Sequence, residues 1–346
     1  MFSDTTLPDA FVDVDLPLAD RRDGKVRVSY RLDGGRRLFV TTDRLSAFDR
    51  IIAGIPYKGQ VLNELAAWWF DRTSAIIDNH VIAVPDPNVL IARETTPLAV
   101  EVVVRGAITG VTSTALWHQY ESGARTIYGY HFPDGLQKNT LLPEPIVTPT
   151  TKPSVESGLH DEPITWAEVV ERGLVETTMW ERITAAAIDV FKEGQRVAAQ
   201  AGLILADTKY EFGVTPDGDV LLIDEAHTPD SSRFWVAESY DARLSAGDEP
   251  ESLDKEPVRR ALSDSGYRGD GEPPQLGAAV IAATSERYID AYERLTGRPL
   301  HRGAYPVGQR IADDLETITA FPGHAGRSDR SSASAPSLAP ENNEAS

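Results

Sequence analysis

GLILADTKYEFG, at residues 202–213, is followed by a turn at residues 216–218 and then by VLLID at residues 220–224. The first segment begins with apolar residues, and from Asp207 onward charged side chains occupy every second position, which is the period of a β-strand. Proline, aspartate and glycine form the turn, and tight turns favour these residues. The sequence therefore predicts an antiparallel hairpin built from the two segments.

The charged positions of this hairpin predict a site on one of its faces. Asp207, Lys209 and Glu211 alternate along the strand, and three charges on one face cost desolvation free energy unless they pair or hold an ion. The hairpin brings Asp224 and Glu225 back alongside them. Carboxylates on adjacent strands suit a Mg²⁺ ion that bridges nucleotide phosphates, with Lys209 adding positive charge. A solvated strand face with ordinary cross-strand ion pairs explains the same spacing.

Short alternating or apolar segments predict further strands nearer the N-terminus. KVRVSY, at residues 25–30, places Lys25 and Arg27 on the face opposite its valines. RLFVT, at residues 37–41, is its expected partner across a glycine-rich turn. Three more strands are predicted at residues 80–84, 89–93 and 99–106.

Apolar residues at helical spacing predict three long helices, at residues 60–71, 177–201 and 275–295. Thr165 and Glu168 have the form of a capping box before a fourth, short helix. Gly297 is expected to end the last of the long helices. Residues 109–152 are rich in glycine, proline and threonine, and we interpret them mainly as ordered loops.

The order of these elements indicates an α+β protein. We expect an antiparallel, β-rich N-terminal lobe at residues 1–98. A mixed α/β C-terminal lobe is expected to follow at residues 99–323. Residues 324–346 contain few side chains to bury and are predicted to be a disordered tail.

Composition excludes several classes of protein. The chain has 346 residues and no cysteine, which excludes disulfides, thiolate metal sites and a cysteine nucleophile. Its formal net charge is −19, which argues against nucleic-acid and anionic-membrane partners but allows a local basic pocket for an anion. No run of about 18 apolar residues predicts a membrane span, and the N-terminus lacks the pattern of a secretory signal. We therefore expect a soluble cytoplasmic protein.

Three further motifs suit phosphate binding. Residues 24–27 form a glycine-containing turn ahead of a strand, as in turns that cover ATP phosphates, but they match neither a kinase loop nor a Walker motif. Arg105 ends an apolar strand before a glycine turn and suits a bidentate clamp on phosphate or carboxylate. Residues 228–233 offer hydroxyls, backbone donors and a guanidinium. Exposed strand charges, a surface arginine and a plain Asx/Ser turn are the respective structural alternatives.

Other catalytic motifs are absent from the sequence. The seven histidines show neither HExxH spacing nor another dense ligand pattern, so no zinc site is predicted. No G-x-S-x-G nucleophile elbow is present. His160 and Asp161 are adjacent, but a lone histidine is more often structural or exposed than catalytic.

Seven segments together resemble the SAICAR synthetase (phosphoribosylaminoimidazole-succinocarboxamide synthase) family. They occur in the family's order: GKVRVSY (24–30), TTDRLSAFDRIIAGIPYKG (41–59), VEVVVRGAITG (100–110), TPTTKPS (148–154), HDEPI (160–164), GLILADTKYEFG (202–213) and LIDEAHTPDSSRFW (222–235). The DTKYEFG and DEAHTPDSSRFW pair is the most specific. The resemblance implies the two-lobed fold of that family, with an ATP cleft between the lobes. It also implies that the N-terminal lobe covers the nucleotide and that the C-terminal lobe binds substrate and magnesium.

The resemblance also implies an activity. The expected enzyme is an ATP-dependent ligase that joins L-aspartate to carboxyaminoimidazole ribonucleotide (CAIR) through an acyl phosphate, with Mg²⁺ as cofactor. Its products would be SAICAR, ADP and phosphate, in purine biosynthesis. One alternative is another ATP-dependent carboxylate–amine ligase or phosphotransferase on the same scaffold. The other is a catalytically silent nucleotide-binding module, against which Lys209, Glu211 and Asp224 argue.

The resemblance assigns roles on the ATP side of the site. The expected ATP contacts are Lys25 and Arg27 at the phosphates, and Ala92 and Arg93 at the hinge beside adenine. The expected magnesium ligands are Glu211 and Asp224. The expected catalytic residues are Lys209, near the phosphates, and Asp207, whose role the family pattern leaves undefined.

The resemblance assigns the substrate side in the same way. The expected contacts to the ribonucleotide phosphate are Arg105, Ser232 and Arg233. The expected contacts near the imidazole are Ser46 and Asp49. The expected border of the aspartate site consists of Lys152, His160 and Asp161.

Overall fold

The computed structural model describes residues 7–47, 50–152, 161–253, 255, 258, 261–262, 264–267 and 271–321. Its first elements are β1 (Ala19–Asp23), β2 (Arg27–Leu32), β3 (Arg36–Thr41), β4 (Arg44–Ala47), β5 (Arg50–Gly54), α1 (Lys58–Arg72), β6 (Val81–Asp86) and β7 (Val89–Arg93). Five of these strands form the first sheet, which is antiparallel in the order β1-β2-β3-β7-β6. β4 and β5 pair with each other as a separate hairpin.

The second sheet forms around one long strand. Its elements and their neighbours are β8 (Thr96–Pro97), β9 (Val100–Ile108), α2 (Leu116–Glu121), β10 (Thr126–Ile127), β11 (Tyr130–His131), β12 (Thr140–Val147), β13 (Thr150–Thr151), α3 (Trp166–Glu171), α4 (Thr177–Gln200), β14 (Leu203–Val214), β15 (Val220–Ile223), β16 (Ser232–Val236) and α5 (Ala237–Ala246). β14 pairs with β9, β15, β16 and β8, all antiparallel. A residue on β14 therefore has neighbours from several segments of the chain.

The C-terminal elements return to the N-terminal part of the fold. They are α6 (Ala278–Thr296), α7 (Val307–Asp313) and α8 (Leu315–Thr319). Tyr288 and Ile289 of α6 pack with the start of α1 in one buried cluster. Val307 and Ile311 of α7 pack onto the apolar face of the first sheet. The core of that sheet thus draws on residues from both ends of the described chain, and the proposed division at residue 98 stays a prediction.

Most of the elements predicted from local patterns are present. β2 and β3 pair as expected, with Val28 opposite Val40, and β14 and β15 form the predicted hairpin. Thr165 and Glu168 make both hydrogen bonds of the capping box. α6 ends at Thr296 and is capped by Gly297, whose φ of 69° lies in the left-handed region that glycine adopts without strain.

The interpretation of residues 109–152 as mainly loops missed one helix, α2, and four strands, β10 to β13. Eight of these residues form β12, which pairs with β9 at the edge of the second sheet. The segment contains prolines at positions 143 and 145, which argue against a strand when the sequence alone is considered. The register with β9 shifts between Leu141 and Ile146, the stretch that contains them. An edge strand tolerates proline because one of its sides carries no ladder of hydrogen bonds.

Two other predictions concern the chain's surroundings. The predicted disordered tail at residues 324–346 lies outside the described residues. Within the described part of the chain, no helix combines the length and the apolar character that crossing a membrane requires. The cytoplasmic location stays a prediction.

Candidate active site

A cavity of about 240 Å³ lies between the two sheets. Phe39 and Leu90 of the first sheet and Ile223 of β15 give it apolar walls. Four of the predicted site residues also line it: Arg27, Arg93, Glu211 and Asp224. An apolar slot with charged groups at its rim suits a ligand with a flat ring and an anionic chain.

Lys209 holds two carboxylates at the edge of this cavity. Its Nζ atom donates to Oε1 of Glu101 and to Oε1 of Glu211, each at 2.8 Å. Lys152 pairs with the other oxygen of Glu211. The sequence analysis did not identify Glu101 as a site residue. It could have been noticed as the one acidic residue in the otherwise apolar start of the strand VEVVVRG.

Burial and the neighbouring charges shift the pKa values of Glu211 and Glu101 in opposite directions. Burial alone would raise the pKa of Glu211, but Lys209 and Lys152 outweigh it and lower that pKa to about 2. Burial raises the pKa of Glu101, which Lys209 opposes only in part. Glu211 is therefore an anion at neutral pH that is already neutralised by two lysines.

Arg27 joins the two sheets across the cavity. Its guanidinium contacts the carboxylate of Asp224 and donates from Nη2 to Oε2 of Glu225 at 2.9 Å. Asp224 follows β15 directly and has a φ of 65°, which turns the chain out of the strand. Burial raises the pKa of Glu225, while Arg27 opposes the shift. The acidic pair predicted on the hairpin is thus bound by a cation from the opposite sheet.

A second charged group surrounds Asp207, which lies nearer the N-terminal end of β14 than Lys209 and Glu211 do. Asp207 is directly opposite Arg105 on one neighbouring strand and Arg233 on the other. Its carboxylate pairs with both guanidinium groups. Ser232 lies beside them, and its hydroxyl is 2.7 Å from that of Thr208. Of the three residues expected at the ribonucleotide phosphate, Arg105 and Arg233 are therefore brought together at Asp207, whereas Ser232 bonds to Thr208, the next residue of β14.

A family model for SAICAR synthetase matches residues 20–274. The chain belongs to the SAICAR synthetase family. It is 46% identical over 314 residues to phosphoribosylaminoimidazole-succinocarboxamide synthase of Legionella pneumophila strain Paris, covering 90% of this chain and 99% of the relative. The predicted family, the α+β fold class and the activity, ATP-dependent ligation in purine biosynthesis, are confirmed.

Two solved structures of SAICAR synthetases resemble the fold. SAICAR synthase from Saccharomyces cerevisiae complexed with SAICAR has a TM-score of 0.73 and 32% identity, over 84% of this chain and 100% of that one. A SAICAR synthetase in complex with ADP has a TM-score of 0.62 and 26% identity, over 82% of this chain and 100% of that one. The likeness therefore extends over most of the described chain.

A buried lysine that sequence reasoning missed is paired with the loop ahead of Ser232 and Arg233. Lys58, at the start of α1, donates from Nζ to Oδ2 of Asp230 at 2.8 Å. Lys255 lies 3.5 Å from the other oxygen of Asp230 and donates to the carbonyl of Ser46 at 3.0 Å. Tyr288 also donates to Asp230. Lys58 lies within a segment that resembles the family, but its charge carried no signal of burial.

The remaining predicted residues have varied positions. Lys25 is exposed in the turn between β1 and β2, and Ala92 is fully buried in β7 and does not line the cavity. Asp161 is exposed, although its charge acts on Glu101. Asp49 and His160 lie outside the described residues.

Several cavity residues had no signal in the sequence. Phe39, His80, Glu94 and Thr95 line the cavity, but they were considered only as parts of strands and loops. Burial lowers the pKa of His80 to about 3, so its ring is neutral. Most of the residues that line the cavity come from two separate sheets, so only the packing of these sheets shows that they form one wall.

Proposed function

We propose that this protein joins L-aspartate to CAIR, with ATP converted to ADP and phosphate. We assign ATP to the cavity between the sheets, the CAIR phosphate to Arg233 and Ser232, and aspartate to the neighbourhood of Lys152. The observation that carries the proposal is the arrangement of charges on β14. Asp207, with its two arginines, and Glu211, with its two lysines, share one face of one strand.

The spacing along β14 fits a ribonucleotide. Asp207 and Glu211 are four residues apart, which corresponds to about 13 Å on an extended strand. One ribonucleotide can span that length, with its phosphate at Arg233 and its carboxylate towards Lys209 and Glu211. In this orientation the CAIR carboxylate would face the end of the ATP cavity where Asp224 lies.

The donor set at this end of the cavity fits magnesium. Glu211 lies on β14, Asp224 directly follows the neighbouring β15, and both line the cavity. Mg²⁺ is commonly held by one or two carboxylates, with substrate phosphates and waters as its other ligands. Among the described residues, no group of three or more histidine, cysteine or acidic side chains forms a metal site by itself. The ion would neutralise charge on the transferred phosphoryl group.

Activation of the carboxylate explains the need for ATP. A carboxylate does not react with an amine at neutral pH, because oxide is a poor leaving group. Attack of a CAIR carboxylate oxygen on the γ-phosphorus of ATP forms an acyl phosphate and releases ADP. The amine of aspartate then attacks the acyl carbon, phosphate leaves, and the amine loses a proton. Lys209 and Arg27 would stabilise the negative charge that accumulates in these steps.

Arg105 and Arg233 contribute in different ways to the proposed phosphate site. The side chain of Arg105 is 6% exposed, whereas that of Arg233 is 27% exposed. Arg105 also donates from Nε to Thr148 at 2.8 Å and from Nη2 to the carbonyl of Thr114 at 3.1 Å. In this proposal Arg233 therefore offers its guanidinium to the substrate. Arg105 supports it through Asp207, with which both arginines pair. Asp207 acts in this proposal as a positioning residue that holds both arginines, not as a base.

A coupled assay tests the function. ADP release should require CAIR, aspartate and magnesium together, and SAICAR should form in equal amount. Aspartate analogues without the α-amine and CAIR analogues without the carboxylate are matched controls and should give no turnover. ADP release with another carboxylate substrate, but not with CAIR, would overturn the substrate assignment and leave the ATP site intact.

A further inference from the structure

The turn from Gly24 to Arg27, which joins β1 to β2, is fixed by its own hydrogen bond and by donors from the segment at the start of β4. The amide of Gly24 donates to the carbonyl of Arg27 at 2.8 Å, which closes the turn. A Cβ atom at Gly24 would lie 3.3 Å from that same carbonyl oxygen, so the turn is tight. Arg27, the last residue of the turn, lines the cavity to which we assign ATP, and the inference that the turn lies at the ATP phosphates rests on that proposed function.

Thr42, which precedes β4, and Arg44, its first residue, donate hydrogen bonds to the carbonyls of the turn. Thr42 donates to the carbonyl of Val26 from its amide at 2.9 Å and from Oγ1 at 2.8 Å. Nη2 of Arg44 donates to the carbonyl of Gly24 at 3.0 Å and to that of Arg27 at 3.1 Å. Three of the four carbonyls in the turn are thereby engaged. Carbonyl oxygens repel phosphate oxygens, so engaging them favours an anion on the turn.

Arg44 is unusual in its surroundings. It is 8% exposed, and within the described residues it makes no ion pair with a carboxylate. Its Nε atom is buried and has no hydrogen-bond partner there. A buried guanidinium without a paired carboxylate costs free energy. The carboxylates of Asp13 and Asp23 act on this guanidinium only through space, without an ion pair among the described residues, so its hydrogen bonds are committed to the turn.

Asp43, between these two residues, anchors them to the rest of the fold. Its carboxylate accepts from the amide of Phe11 at 2.8 Å, from the amide of Gly59 at 2.9 Å and from the hydroxyl of Tyr305 at 2.7 Å. A Cβ atom at Gly59 would lie 2.5 Å from the carbonyl oxygen of Thr41, so α1 approaches this segment as closely as a glycine permits. The segment that holds the turn is therefore fixed by three separate parts of the chain.

We propose that Arg44 is a positioning residue for the phosphates of ATP. It binds the carbonyls at both ends of the Gly24–Arg27 turn, fixes the turn beside the cavity and places a guanidinium behind it. Arg44 acts through the turn, and its contribution is specific to the phosphate chain of the nucleotide. The adenosine part of the ligand gains nothing from it.

Binding of ATP and of adenosine to Arg44→Met tests this role. Methionine keeps most of the buried volume and removes the charge and both hydrogen bonds. By calorimetry, ATP should bind about ten- to a hundredfold more weakly, the scale of a charge-assisted contact, while the affinity for adenosine and the KM for CAIR stay unchanged. Arg44→Lys keeps the charge without the planar fork, and should recover part of the loss.

A partly buried arginine outside the cavity provides the control. Arg310 donates from Nη1 to the carbonyl of Ala304 at 2.6 Å and pairs with Asp86 at 2.7 Å. Arg310→Met should lower the melting temperature and leave the ratio of ATP to adenosine affinity unchanged. If Arg44→Met does not fold, the milder Arg44→Lys carries the test, with a loss of a few-fold expected for ATP alone.

The outcomes separate this inference from the proposed function. Equal losses for ATP and adenosine, or no loss for either, would overturn the role of Arg44. In both cases ATP would still bind the wild-type protein more tightly than adenosine does. A wild-type protein that binds the two ligands equally would instead contradict the placement of the phosphates, and with it the proposed ATP site.

Discussion

Lys58, a lysine with no exposed surface, lies 2.8 Å from Asp230 in the loop that leads to β16. The pair joins the start of α1 to the segment that carries Ser232 and Arg233. Lys255 and Tyr288 also bind Asp230, so its carboxylate is shared by three donors. Although burial alone would raise the pKa of Asp230, Lys255 and Lys58 hold it below its ordinary value. The loop that we propose for binding the CAIR phosphate is thus attached to α1 and α6 through one buried anion.

Replacing Lys58 by methionine should destabilise the protein by about 3 kcal/mol, because it leaves a buried carboxylate with fewer cations. Urea unfolding followed by fluorescence measures the change. The double variant Lys58→Met/Asp230→Asn should regain much of the lost stability, since it removes the unpaired charge as well. Equal stability of Lys58→Met and wild type would show that Lys255 and Tyr288 suffice for Asp230.

Turnover should require both Glu211 and Asp224. One remaining carboxylate would leave the magnesium ion under-neutralised beside the phosphates, so Asp224→Asn should reduce kcat about a hundredfold. Initial rates across a magnesium titration measure this effect. Glu225→Gln is the matched control, because Glu225 also binds Arg27 but does not line the cavity. Wild-type rates of Asp224→Asn at saturating magnesium would contradict the metal assignment.

The ion pairs of Glu211 predict a dependence of stability on pH. Its pKa in the folded state is lowered to about 2 from an ordinary value of 4.5. Such a group stabilises the fold at pH values above its ordinary pKa, and the stabilisation is lost as the pH falls through the folded value. The difference in unfolding free energy between wild type and Glu211→Gln should therefore be constant above about pH 5 and shrink towards pH 2. Lys152→Met should weaken this dependence.

Arg233 should determine the affinity for the ribonucleotide. Arg233→Ala should raise the KM for CAIR about ten- to a hundredfold and leave the KM values for ATP and aspartate unchanged, because a charge-assisted contact to phosphate is lost. Arg233→Lys should restore only part of the affinity, since an ammonium cannot form the planar fork.

Arg72→Ala controls for the loss of a partly exposed arginine. Arg72 pairs with Glu193 at 2.9 Å, and neither residue lines the cavity. This variant should leave all three KM values at their wild-type levels. A uniform rise of the three KM values in Arg233→Ala would indicate that the loop has changed shape, and an unchanged KM for CAIR would remove Arg233 from the site.

The sequence by itself determined the features that depend on neighbouring residues. Alternation along residues 207–211 placed three charges on one face of β14, and the turn at residues 216–218 returned β15 beside it. The capping box at Thr165 and the apolar stripe of α4 followed from spacings of three and four residues. These signals are local, because turn geometry and side-chain period are properties of a few consecutive residues.

Only the tertiary structure decided which distant groups meet. Arg27 and Asp224 are 197 residues apart in the chain, and Lys58 and Asp230 are 172 apart. No periodicity relates such positions; their contact depends on how the first sheet, α1 and the second sheet pack together. The same packing allowed β12 to form despite its prolines, because it lies at a sheet edge. A charged residue is visible in a sequence, but its burial and its partner are set by the assembled fold.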